Sequence, residues 1–453
     1  MPRVPVYPSH AHPRSPHWPG PSGSRLRYCL SGGGTGGHVY PALAVAAALQ
    51  RGAEEPEAAT SQPDCGVPVD DEDRHNDNDV APLPDVVYVG SRGGMEQRIV
   101  QSESNLTYRA IPTAALRGQS NPLTVARNGV LLATGTVVAW SLLRELRPDA
   151  LLGTGGYVCA PLFLAARLLN IPTLLYLPDI VPGLAVRWLS RIATQVACSV
   201  EDSCATLARH GSLPPLATGY PVRDELFRQD RVACRAAFGM PEGDNLPVLL
   251  VYGGSRGARS INRVVETLLP DILNLAHVIH LCGREGDETW LRAAAAQLDA
   301  PQQARYRIFP YLENQPTPSA PATMVQALGA ADLALCRSGA STLGELPALG
   351  LPAILVPYPY VHQDENADYL VRHGAAIKIA DAEMGGDGPP QDGPLFAQVS
   401  RLLKTHPHER FRMAERSRAL ARPDAAKHLA DALRNLVGRR EGSCSKFNST
   451  VGC

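Results

Sequence analysis

Ser31-Gly-Gly-Gly-Thr-Gly-Gly-His38 decides how this chain is read. An apolar run, Arg27–Ser31, leads into it, and a helix-like stretch, Pro41–Leu49, follows. Glycines at such a junction let the backbone approach an anion closely, while the next helix offers free N–H groups and the positive end of its dipole. Tyr252-Gly-Gly-Ser-Arg-Gly-Ala-Arg259 repeats the arrangement, before the helical pattern Ile261–Leu269. Two such loops about half the chain apart predict two similar nucleotide-binding-type domains facing across a cleft.

The flanking sequence agrees. Strand-like runs are expected at Val86–Gly90, Ala150–Leu152, Thr173–Leu177 and Gln195–Ser199, with helical patterns between them. A second set follows at Pro247–Tyr252, His277–Cys282, Tyr306–Phe309, Leu333–Cys336 and Ala353–Val356. That alternation predicts α/β domains with parallel sheets and crossover helices. The domain plan is a disordered extension over 1–24, an N-terminal domain over 25–220 with an acidic insertion at 52–84, and a C-terminal domain over 221–418 with an insertion at 313–323. A helix over 419–437 is expected to return to the N-terminal domain, before a disordered tail over 438–453.

At 453 residues the chain exceeds what one core usually supports. A formal charge of −1 excludes a nucleic-acid-binding charge field over the whole molecule, and no nucleic-acid partner is expected. The ten cysteines show no paired metal-ligand spacing, which suits a reducing compartment. The apolar stretch from Gly129 to Leu143 falls short of a spanning helix and reads as a buried one. Seven arginines between Arg92 and Arg147, against Glu96, Glu103 and Glu145, read either as a solvated surface or as a patch for an anionic membrane surface.

Gly32, Gly34 and Gly37 satisfy the dinucleotide pattern, but Ser91-Arg92 stands where a dehydrogenase places an acidic residue for the ribose. His38 falls in the first turn of a helix, where a neutral ring able to accept a proton suits the dipole; a packing role is the alternative. Arg337, Ser338, Gly339, Ala340, Ser341, Thr342, Leu343, Gly344 and Glu345 form a second helix-opening string. An anion can sit on its N–H groups, and Glu345 can accept both hydroxyls of a ribose.

In this order, GGGTGGH at 32–38, GGY at Gly155–Tyr157, GYPVR at Gly219–Arg223, GGSRGAR at 253–259, CRSGASTLGE at 336–345 and HQDENA at His362–Ala367 resemble the MurG family. The resemblance runs from about Leu26 to about Leu436 and implies the GT-B fold, two Rossmann-like parallel-sheet domains facing across a cleft. It implies a peripheral enzyme on the cytoplasmic face of the cell membrane that joins GlcNAc from UDP-GlcNAc to a polyprenyl-pyrophosphate-linked acceptor. By the same resemblance Arg223 and Ser255 contact the donor nucleotide, Leu312 lies beside the uracil, the string up to Glu345 binds phosphate and ribose, and Gln363 reaches the sugar. Asn262 and Asn366 fall on further cleft positions. Thr35, Gly36, Gly37 and His38 approach from the N-terminal side, and Gly155, Gly156 and Tyr157 hold the acceptor pyrophosphate.

Two departures stand out. The family's HEQN is Tyr176-Leu-Pro-Asp179 here, which puts Leu177 in a carboxylate's place and Asp179 in an asparagine's, and Arg256 replaces a usual Gln. His38 and then Asp179 are the expected bases. No cofactor and no divalent ion is expected, because Asp71-x-Asp73 and Asp77-x-Asp79 lie in the acidic insertion. Three rivals remain: a transferase for another glycolipid, a UDP-GlcNAc 2-epimerase, and a nucleotide-sugar-binding protein without catalysis.

Overall fold

In a computed structural model the described residues are 25–51, 83–113, 122–207, 211–313, 315–316 and 321–448. The first sheet contains β1 (Arg27–Ser31), β2 (Asp85–Ser91), β3 (Thr107–Ile111), β4 (Ala150–Gly153), β5 (Thr173–Leu177), β6 (Gln195–Cys198) and β7 (Leu216–Ala217), in the order 3-2-1-4-5-6-7. The second contains β8 (Val248–Tyr252), β9 (His277–Leu281), β10 (Tyr306–Phe309), β11 (Leu333–Cys336), β12 (Ala353–Leu355) and β13 (Ala376–Lys378), in the order 10-9-8-11-12-13. All the pairings are parallel. Central strands such as Ala150–Gly153, Thr173–Leu177 and Val248–Tyr252 are buried along their whole length, as a parallel sheet covered on both faces requires.

Each sheet reverses its strand order between a pair of central neighbours, β1 with β4 and β8 with β11. Register sets Ser31 beside Gly153 and Cys336 beside Tyr252. Such a switch point leaves a crevice outside the carboxyl ends of the strands. The glycine loops begin at those ends.

Six helices matter to the site: α1 (Gly36–Arg51), α2 (Pro122–Leu146), α3 (Arg259–Leu273), α4 (Thr342–Leu349), α5 (Asp364–Arg372) and α6 (Ala425–Asn448). Leu429, Ala430, Leu433, Leu436 and Val437 of α6 pack with Tyr28, Leu30, Val45, Leu49 and Tyr176, so the chain's last helix completes the core of the first sheet. The helix runs on to Asn448, past Gly438, where the sequence reading has a frayed tail. The expected extension 1–24, most of the acidic insertion and residues 449–453 lie outside the described residues.

The α2 expectation is overturned. Ala139, Leu143 and Leu146 are buried, but Val130 is 63% and Val137 66% exposed, with Val138 and Trp140 exposed beside them. Residues 127–146 are long and apolar enough by length and composition to cross a membrane, which the count from Gly129 to Leu143 missed. Short strands were also missed: β3, an edge strand with alternating exposure, β7 and β13.

Candidate active site between the two domains

The loops after β1 and β4 interlock. Gly33 N donates to Gly155 O at 3.3 Å, and Gly156, with φ +85°, lies so close to Gly33 that a Cβ would strike its carbonyl. Tyr157 packs over Gly34. In this frame His38 Nδ1 lies 3.0 Å from Gly33 O and 3.3 Å from Thr35 Oγ1. A carbonyl only accepts, so this partner assigns the proton of a neutral ring to Nδ1 and leaves the Nε2 lone pair free, against Gly155.

The C-terminal half offers the matching wall. Gly254 and Gly257, both near φ +85°, shape the turn after β8, in which Ser255 is half-buried; a Cβ on Gly257 would strike the Cys282 carbonyl. After β11, Ser338 to Ser341 lead into α4, with Ser341 at its N-cap. A Cβ on Gly37 would lie 3.9 Å from Ala340 Cβ, so the first glycine loop faces this string directly. Thr342 Oγ1 donates to Gly339 O, and Gly344 packs against Tyr220 and Val222. Leu343 is buried in the core beneath.

Glu345 sits one turn into α4, and burial raises its carboxyl above the ordinary range, opposed by a hydrogen bond with Ser341 and by the Arg223 guanidinium. Arg223 also lies 4.0 Å from Glu103 and over the Tyr40 ring. Asp179 follows β5 on the opposite wall. Burial raises its carboxyl too, while a hydrogen bond from Asn366 and the neighbouring His38 pull the other way. His38 and Asp179 therefore share one electrostatic neighbourhood.

Several expected contact residues are committed elsewhere. Asn262 does not line the cleft: it is 1% exposed, donates to Cys282 O and Asp287, and meets His280 Nε2 at 3.0 Å. It braces the second glycine loop from below. Asn366 is fully buried and hydrogen-bonded on all sides. Arg337 is spent on Asp381, Ser260 Oγ and the carbonyls of Val356 and Pro357. The Leu312 side chain is core, leaving only its backbone for a base. Arg256 is exposed and paired with Glu285, and Gln363 accepts from Tyr358 N while its amide lies beside Gly339.

The YLPD departure has a structural meaning. Tyr176 donates to Gly219 O from within the core, and Leu177 is 1% exposed, so no carboxylate stands there. Sequence reasoning passed over the tyrosines that join the halves. Tyr220 OH donates to Gly37 O at 3.1 Å, while Tyr40, which donates to Glu103 of its own half at 3.0 Å, carries the Arg223 guanidinium of the other half over its ring. Tyr220 lies inside the GYPVR string, where the reading fell on Arg223 alone. Beside these tyrosines a cavity of about 430 Å³ opens between α1 and the 222–228 segment, lined by Tyr40, Arg51, Glu103 and Arg223. Arg51 and Asp224 pair across it.

Comparison with known proteins follows the same outline. Residues 81–198 match the glycosyltransferase family 28 N-terminal domain and residues 248–429 its C-terminal domain. The UDP-N-acetylglucosamine--N-acetylmuramyl-(pentapeptide) pyrophosphoryl-undecaprenol N-acetylglucosamine transferase of Roseiflexus sp. (strain RS-1) is 54% identical over 92% of this chain and 96% of its own length. The protein of the same name from Desulforudis audaxviator is 36% identical over 91% of this chain and 99% of its own. Among solved structures, MurG of Acinetobacter baumannii superposes with a TM-score of 0.60 at 26% identity, over 91% of this chain and all of its own. A UDP-GlcNAc 2-epimerase from Neisseria meningitidis, at 15% identity and a TM-score of 0.57, shares the fold. Two parallel-sheet domains joined across a cleft, GT-B in type, and near-full-length likeness together establish that the chain belongs to glycosyltransferase family 28 and, within it, to the MurG family.

Proposed function

We propose that this chain transfers GlcNAc from UDP-GlcNAc to the C4 hydroxyl of lipid I, undecaprenyl-pyrophosphoryl-MurNAc-pentapeptide, giving lipid II with inversion at the anomeric carbon. One observation carries the reading: Gly37, next to His38, lies against Ala340 where two switch-point crevices meet. The C4 oxygen attacks the anomeric carbon as the bond to the β-phosphate oxygen breaks. His38 Nε2 takes the hydroxyl proton, and the electron pair leaves with UDP. Asp179, buried nearby, favours the imidazolium that forms. The amides that open α4 and the turn at Gly254–Gly257 meet the diphosphate charge. Glu345 holds the ribose, with Arg223 near the nucleoside and Gln363 near the sugar.

The acceptor's lipid calls for a membrane surface, and the reading places the enzyme peripherally on its cytoplasmic face. Val130, Val137, Val138 and Trp140 give α2 an exposed apolar stripe, with Arg127, Arg144 and Arg147 exposed near its ends. Such a stripe suits burial among anionic headgroups. Arg117 of the expected patch lies outside the described residues, as do Asp71, Asp73, Asp77 and Asp79.

A second reading keeps the donor and changes the acceptor, because Leu177 removes a carboxylate from the acceptor side. One assay separates the possibilities. Labelled UDP-GlcNAc is offered lipid I, diacylglycerol or no acceptor. Label in lipid II supports the proposal, label in a glycolipid supports the second reading, and release of ManNAc without acceptor marks an epimerase. Tight UDP binding without turnover in any arm refutes catalysis.

A further inference from the structure

Asn366, read from its motif as a substrate contact, lies in the first turn of α5 with no exposed surface. Its Oδ1 accepts from Ile180 N at 3.0 Å, and its Nδ2 donates to Asp179 Oδ1 at 2.9 Å and to Ser338 O at 3.1 Å. Both amide protons and the carbonyl are thus engaged by protein groups. Two of the partners follow β5 in the N-terminal half, and the third opens the loop after β11 in the C-terminal half. Each end is fixed in turn. Ser203 Oγ donates to Ile180 O at 2.9 Å, and Ser338 Oγ donates to Gln363 O at 2.8 Å.

We propose that Asn366 is a positioning residue that makes cleft closure and the orientation of Asp179 a single event, governed by the Ser338 loop. This rests on the reading of the cleft as the transfer site. Separation of the halves would strip Asn366 of Asp179 and Ile180 together, leaving buried groups without partners. Asp179 would then lose the hydrogen bond that aims its carboxylate beside His38. A ligand held on the Ser338 loop orders the carbonyl that Asn366 grips and so favours the closed form. Two other charged links across the cleft, Arg372 with Asp202 and Arg51 with Asp224, are each about a third to a half exposed or more and hold the halves weakly.

The test compares full-length wild type, Asn366→Ala, Asn366→Asp and Asp179→Asn by small-angle X-ray scattering with saturating UDP, alongside calorimetric UDP affinity and turnover. Asp179→Asn keeps an oxygen for the Asn366 amide, so it is expected to stay as compact as wild type. Asn366→Asp keeps the shape but sets a carboxylate against Asp179, and is expected to show a larger radius of gyration. Its kcat should fall about 10- to 100-fold, the usual range of coupling between sites. UDP affinity should fall as well, because a ligand that favours the closed form binds less tightly where closure is lost. If Asn366→Ala fails to fold, Asn366→Asp decides alone. Asn366 variants as compact as wild type, or an Asp179→Asn enzyme as open as Asn366→Asp, would overturn the proposal. Failure of the wild type to use lipid I would overturn the transfer reading and leave the scattering result standing.

Discussion

The two glycine loops occupy the same place in two sheets that share one order over six strands, yet they are supported differently. Ser31–His38 leans on another glycine loop, at Gly155–Tyr157, and ends in an ionisable ring with a free nitrogen. Tyr252–Arg259 and the Arg337–Glu345 string rest on a polar scaffold of buried Asn262, His280 and Asp287 with partly buried Arg337 and Asp381. The fold thus sets where each crevice lies, while the side chains beneath it set the task. On the proposed function, one half holds a charged donor and the other moves a proton.

Removing the ring from the reacting half should have the largest effect. His38→Ala is expected to lower kcat by about 10²- to 10⁴-fold, the range of a general base, with UDP affinity nearly unchanged. Near-normal turnover at saturating substrates would move the base to Asp179. In the holding half, Glu345→Gln should instead weaken UDP binding by about 10- to 100-fold through lost charge-assisted hydrogen bonds, measured by calorimetry. The same change has an opposite sign for stability. Burial raises the Glu345 carboxyl, so its ionised form is the costly one in the fold. That cost is absent below the ordinary carboxylate range, sets in as pH rises and persists above the raised value. Glu345→Gln should therefore melt higher than wild type at pH 8 and level with it at pH 4; the reverse order would contradict the burial account.

Asp179 sharpens the contrast further. Its carboxyl is raised by burial, so an acid limb in the kcat profile should lie above the ordinary carboxylate range and vanish in Asp179→Asn. A profile unaltered by the change removes Asp179 from the protonation scheme. The smallest effect belongs to the surface. Replacing Val130 and Val137 together by Glu should weaken binding to anionic vesicles roughly tenfold without touching UDP affinity. Equal binding by the variant would dismiss the α2 stripe.

Much of this was legible because glycine strings and fully apolar strands are local signals. Thr173–Leu177, Val248–Tyr252 and Leu333–Cys336 need only their own residues to be read as strands. Thr107–Ile111 alternates in exposure at a sheet edge and lacks that signature. Residues 127–146 look like core from composition, but only packing decides that Ala139 faces inward and Val137 outward. The site divides in the same way. A motif fixes which residues neighbour the cleft; it is silent on orientation, so Asn262, Asn366 and Arg337 turn out to brace it from within. Tyr40 and Tyr220 were missed for the converse reason, since an aromatic ring that links two domains carries no mark in its own segment.

Hydrogen exchange with UDP alone tests the division of labour most directly. Protection is expected to be largest at the amides of residues 254–257 and 338–345, with those of 33–38 gaining less, through closure alone. Protection confined to 33–38, with the C-terminal loops unaffected, would contradict it.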